Sequence, residues 1–191
     1  MSKQLELTVR CFATSQQWEE WLAENHTAVV GLWLQFYKKA AVKKSVTYAE
    51  ALDIALCYGW IDGHVKSYDA DSCVRRFTPR RAKSIWSKRN QEHVARLMQA
   101  GRMQPAGLAA ITAAQADGRW NQAIDRKSVV IPPDFLIELE KNPAAYAFFK
   151  TLNKANIYAM VWKLQTAKQP ATRTRRMQVL LDMLQQGKKL Y

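Results

Sequence analysis

Between residues 75 and 89 stand seven cations with no acid among them: Arg75, Arg76, Arg80, Arg81, Lys83, Lys88 and Arg89. Trp60 precedes the run, and Phe77 and Trp86 are set within it. Guanidinium groups held this close repel one another, and each costs desolvation if buried, so a fold gains nothing from them by itself. The chemistry they can do is to hold an anion. Arg76, Arg80 and Arg81 offer planar forks that match a carboxylate or a phosphate. Ser84 and Ser87 sit where a helix is expected to start, so their hydroxyls would join the unpaired N–H groups and positive dipole end found there. Trp60 and Trp86 would supply apolar walls. The competing reading is a solvated surface, paired locally with Asp62, Asp69 and Asp71.

Two other chemistries are open to the same stretch. Asp62 and His64, two apart on an extended segment, would share a face and could act as a base with its orienting carboxylate. An aspartate in a Trp-Ile-Asp-Gly turn can equally be hydrogen-bonding its own backbone. Basic residues beside Trp60, Tyr68, Phe77 and Trp86 could instead follow the phosphates of a nucleic acid and stack its bases. No nucleophile elbow, phosphate loop or metal-ligand spacing is present, so no metal and no cofactor is expected. Whether the protein is an enzyme is left open, with a binding protein favoured.

The elements that must position these residues follow from local patterns. Leu5, Leu7 and Val9 alternate with polar residues as a first strand. Thr14 with Gln17, and Thr47 with Glu50, have the spacing of capping boxes that open two helices. The run from Val29 to Tyr37 is β-branched and aromatic, as a central strand covered on both faces would be. The second helix stops at Gly59. Trp60–Lys66 and Cys73–Thr78 then form a hairpin around a turn at Asp69–Ser72. After Pro79 the pattern is helical: from about Ser87 to Ala100, from Pro105 to near Gly118, and from Pro133 and Pro143 onward. Ile157, Met160, Val161 and Leu164 repeat at helical spacing, as do Met177, Leu180, Leu181 and Leu184, which predicts an antiparallel pair. Lys168, Arg173, Arg175 and Arg176 lie at its hinge.

The expected fold class is therefore α+β: a small mixed sheet in the order β-α-β-α-β-β covered by helices, followed by an all-helical C-terminal part ending in that hairpin. The expected division is 1–120 for the α+β domain, 121–132 for a linker and 133–191 for a helical region packed on the first. At 191 residues, 48% hydrophobic, the chain can bury a sizeable core. A formal charge of +13 points to an anionic small molecule or phosphorylated ligand, with nucleic acid as the alternative partner. Cys11, Cys57 and Cys73 form no Cys-x-x-Cys pair and read as reduced thiols; with no signal peptide and no transmembrane segment visible, the expected location is the cytoplasm. The oligomeric state is not indicated.

Several blocks taken in order resemble a known family. They are WxxWLxxNH at Trp18–His26, VGLWLQFYKK, SVTYAEALDIALCYGWIDG, RFTPRRAKSIWSKRN, GRMQPAGLAAITAAQADGRW and the late AK-x-x-x-TRTRR. The resemblance is to the bacterial YdeI/OmpD-associated, or bacteriocin-protection, family. It implies a link to envelope stress, to antimicrobial-peptide resistance and to an outer-membrane porin. It implies no catalytic mechanism and no active-site residues. A chain at +13 should repel cationic peptides, so any protection would act through an anionic ligand or partner.

Overall fold

A computed structural model describes residues 7–123, 125, 130–167 and 169–190. The chain divides into two compact units, residues 1–124 and 125–191, each with its own hydrophobic core. The fold is mixed α+β, as expected.

The first unit is built on a four-stranded mixed sheet. Its elements are β1 (Val9–Arg10), α1 (Ser15–Asn25), β2 (Leu32–Tyr37), α2 (Tyr48–Cys57), β3 (Trp60–Ser67), β4 (Ser72–Pro79), α3 (Lys88–Gln99) and α4 (Pro105–Ala116). The strands lie in the order β1-β2-β4-β3, with β1 parallel to β2 and the other pairs antiparallel. Leu5, where the first strand was expected to begin, lies outside the described residues; the paired part is Val9 and Arg10 alone. The central strand is shorter than expected, because Val30 is exposed and Gly31, at φ 141°, turns the chain before Leu32.

Helix starts follow the local chemistry. Thr47 and Glu50 make a complete capping box. Thr14 caps α1 by accepting from the Gln17 N–H, but the Gln17 side chain reaches past it to the N–H of Ala13. One face of the sheet, carrying Leu32, Leu34, Phe36 and Phe77, is packed against Trp18 and Leu22 of α1 and the apolar residues of α2. Trp18 lies at the middle of this core, stacked on Trp21, edge-on to Trp60 and Phe77, with its indole N–H bonded to the Ala51 carbonyl at 3.1 Å.

The second unit contains α5 (Pro133–Glu140), α6 (Pro143–Lys150), α7 (Lys154–Gln165) and α8 (Pro170–Gln185). The predicted stripes do bury: Met160, Val161 and Leu164 from α7, and Leu180, Leu181 and Leu184 from α8. With Phe135, Leu139 and Phe149 most of them form the second core. Of the expected linker, residues 124 and 126–129 lie outside the described residues, as does Lys168. No helix among the described residues is long and apolar enough to cross a membrane, and none of their His, Cys, Asp and Glu side chains group as a metal site.

Candidate functional site

Arg75, Arg76, Arg80 and Arg81 do not act as one cluster; the backbone that carries them sends them in different directions. Arg75 and Arg76 are neighbours on β4 and so point to opposite faces. Arg75 turns to the helix-covered face. There it bonds Asp62 Oδ2 at 2.8 Å and lies over the Tyr48 ring at 4.4 Å, while the Tyr48 hydroxyl donates to the same oxygen at 2.9 Å. Burial, joined by the charge and hydrogen bond of Asp62, pushes the Tyr48 phenol up to about 12. Arg76 is exposed and lies across Gly63 on β3. Arg81, beyond the strand, is exposed as well.

Arg80 has a different fate. Its backbone N–H bonds the Gly59 carbonyl at 2.9 Å, which ties the loop after β4 to the turn that ends α2. Its guanidinium folds inward over Trp86, 3.7 Å from the ring centroid. Nη1 points at Ser84 Oγ and at the Ile85 carbonyl, each at 3.3 Å. Nε and Nη2 are sealed from solvent and have no hydrogen-bond partner among the described residues; the indole Nε1 of Trp86 is in the same condition. Burial and the nearby charge of Arg119 lower the Arg80 guanidinium to about 10, a fall that Asp62 only partly offsets.

Arg119 was not marked by the sequence, because it lies 35 residues from Ser84. It arrives at the loop from the end of α4, where its Nη1 bonds the Ser84 carbonyl at 2.8 Å and its Nε bonds both oxygens of Asp117. Trp120 sits 4.8 Å from Trp86 between ring centroids. The only sequence signal was the Gly-Arg-Trp following the helix stop. Two guanidinium groups thus meet at Ser84, beside two indoles.

The remaining expected site residues have other employment. Trp60 is not a pocket wall: it is 1% exposed, and its N–H is bonded to the His26 carbonyl. Ser87 caps α3, its hydroxyl accepting the Asn90 N–H at 3.2 Å. Asp62 and His64 do not share a face in the expected way. The register shifts between Asp62 and Val65, and this bulge sets two residues against one on β4 and breaks the alternation. His64 is exposed, whereas Asp62 is held by Tyr48 and Arg75. Of the four rings considered for base stacking, Trp60, Phe77 and Trp86 are buried in the core, leaving Tyr68 exposed. Asp69 accepts from Asp71 and Ser72 within its own turn, and so does not neutralise the arginines. Cys57 is buried, and burial pushes its thiol up to about 11, far from a neutral-pH nucleophile.

Comparison with known proteins follows the same division. Residues 10–110, which take in nearly the whole sheet and α1–α3, match a family described as a domain of unknown function, DUF8412. Residues 128–187 match the family described as bacteriocin-protection, YdeI or OmpD-associated. The resemblance read from the sequence is therefore supported by the C-terminal part, where the Thr-Arg-Thr-Arg-Arg block lies; the Gly-Trp-Ile-Asp-Gly, Arg-Phe-Thr-Pro-Arg and Gly-Arg-Met blocks fall in the first match. No curated protein and no solved structure matches the chain. With the first match covering more than half of its length, the chain belongs to the DUF8412 family, and its C-terminal part is similar to the bacteriocin-protection, YdeI or OmpD-associated family.

Proposed function

We propose that this protein binds a small anion at Arg80, Ser84, Trp86 and Arg119, and that it serves as a cytoplasmic binding protein connected with envelope stress or antimicrobial-peptide resistance. The observation that carries the reading is the unpartnered Nε/Nη2 edge of Arg80. That edge is the side of a guanidinium that grips a carboxylate or phosphate through two parallel N–H bonds. Leaving a buried donor unmet costs about 1–3 kcal/mol, and three are unmet here. The like charge of Arg119 raises the cost further. An anion accepting from the Arg80 edge would meet two of these donors and compensate the Arg80 charge, while Arg119 is already paired with Asp117. A mixed aromatic surround lowers the local dielectric and strengthens the bonds so formed. The three free cysteines fit a reducing compartment, and the +13 charge fits an anionic rather than a cationic partner.

The test is thermal unfolding with inorganic phosphate, acetate and a nucleoside monophosphate at matched ionic strength, on the wild type and on Arg80→Met. A specific anion should raise the wild-type midpoint with concentration, by about 2.7 kcal/mol of stability at a hundred times its Kd. Arg80→Met should lose that response while the free protein becomes as stable or slightly more so, because an uncompensated buried charge has gone. Equal, small shifts from every anion, undiminished in Arg80→Met, would end the proposal.

A further inference from the structure

A second basic site lies wholly within the helical unit. A cleft of about 110 Å³ opens between α7 and α8, lined by Lys163, Arg175, Arg176, Val179 and Leu180. Three cations border it, mainly through their aliphatic stems, so its lining is almost wholly apolar; no acid borders it. Its floor is aliphatic: Leu180 is buried against the second core, while Val179 remains 50% exposed at the mouth.

Among the described residues none of these three cations is in an ion pair. Arg176 spends Nη1 on the Lys163 carbonyl at 2.7 Å and on Thr166 Oγ1 at 3.2 Å, which fixes its guanidinium at the cleft edge and leaves its charge uncompensated by those neutral partners. The neighbouring Arg173, by contrast, is committed to Asp134 in a two-pronged pair. Nature of lining and size together define what fits. A bare inorganic ion would satisfy the cations but leave the aliphatic floor wet. A neutral apolar molecule would cover the floor but meet no charge. The volume is somewhat below the roughly 150 Å³ of an engineered cavity that admits benzene, which leaves room for about four or five heavy atoms.

We infer that this cleft binds a small organic anion whose acid group meets Arg175, Arg176 and Lys163 and whose short aliphatic part, three or four carbons, lies on Val179 and Leu180. Its residues all belong to the second unit, whereas those proposed to bind an anion at Arg80 all belong to the first.

Methyl-resolved NMR of the full chain, titrated with acetate, propionate, butyrate and hexanoate and separately with propyl phosphate, tests this. Val179 and Leu180 methyl signals should shift saturably. Affinity should rise about fourfold per added methylene up to butyrate and then level off as the cleft fills. Propyl phosphate against butyrate distinguishes a phosphate from a carboxylate head. Arg175→Gln and Val179→Asp, both at exposed positions, should each weaken binding about tenfold without altering the spectrum of the free protein elsewhere. Lys39→Gln, on the first unit, should leave it unchanged. Affinity that ignores chain length, or that survives both Arg175→Gln and Val179→Asp, would overturn the inference. So would the absence of any saturable shift at these methyls.

Discussion

Asp62 and His64 stand two residues apart, and the structure gives them unrelated work. Asp62 accepts from Tyr48 and Arg75 within a half-buried triad. Removing its carboxylate leaves a hydroxyl and a guanidinium short of a partner, so Asp62→Ala should destabilise by about 2 kcal/mol in denaturant unfolding. His64→Ala, at an exposed bulge, should stay within about 0.5 kcal/mol of the wild type. If both changes cost the same, the triad is not what holds Asp62. The sequence made these two look like a catalytic pair because alternation along a strand was assumed. A bulge is a property of two strands in register and leaves no mark on either one read alone. Arg80 was legible as an anion ligand from its type and neighbours. That it turns inward while Arg76 and Arg81 stay exposed was not, since only the arrival of Trp86, Arg119 and Trp120 makes a place for it. Trp86→Phe tests the same place from the other side. It removes one of the unmet donors while keeping an aromatic ring under Arg80; that relief offsets part of the cavity the smaller ring leaves, so the free protein should lose no more than about 1–2 kcal/mol and the anion response should weaken. A response equal to wild type would take Trp86 out of the site.

Between elements, close approach and charge pairing set the geometry around that loop. α4 crosses the end of α2 so tightly that a methyl on Gly107 would collide with the Cys57 carbonyl, and the Gln104 N–H bonds that same carbonyl at 3.2 Å. Gly107→Ala must push the helices apart, and about 3 kcal/mol of lost stability is expected, with loss of Arg119 from Ser84 as a structural consequence. Wild-type-like unfolding in that variant would show the contact to be loose. α3 is fastened to α2 by Asp53, which pairs with His93 Nδ1 and Arg96 Nη2, each at 2.6 Å. Burial alone would lift the Asp53 carboxyl, but the bonds from Arg96 and His93 outweigh it and hold the group below its ordinary 3.8. A carboxyl depressed by folding contributes stability that is complete above its unfolded value and disappears as the pH falls through its folded one. Asp53→Asn should therefore trail the wild type by about 1–2 kcal/mol near pH 6, and the gap should close as the pH drops below about 4. A gap that persists unchanged in acid would refute the pairing. The caps at Thr14, Thr47 and Ser87 and the stop at Gly59 were readable beforehand because they are written within four residues. The α2–α3 and α2–α4 contacts were not, because they join residues some forty or fifty positions apart.

For the molecule as a whole, charge is the dominant feature, and it is spread more evenly than the arginine run suggests. The first 124 residues carry 17 Lys and Arg against 11 Asp and Glu, and the remaining 67 carry 12 against 5. Both units are therefore net positive, and self-repulsion works against each compact state. Salt should relieve it in two separable ways. Screening by sodium chloride acts on exposed charges over a distance of about 10 Å at 0.1 M, so the unfolding midpoint should climb smoothly between low salt and that concentration, whatever stands at position 80. A ligand anion acts instead by occupancy, and its effect should saturate at a concentration far too low to alter the ionic strength. Measured together, the smooth chloride response should persist in Arg80→Met while the saturable response to the preferred anion vanishes. Had the positive charge been only a solvated surface, the two curves would collapse onto ionic strength alone in both proteins, because screening does not distinguish one anion of a given valence from another. Separation of the curves in the wild type and their collapse in Arg80→Met is the outcome that the buried, unmet edge of one arginine requires.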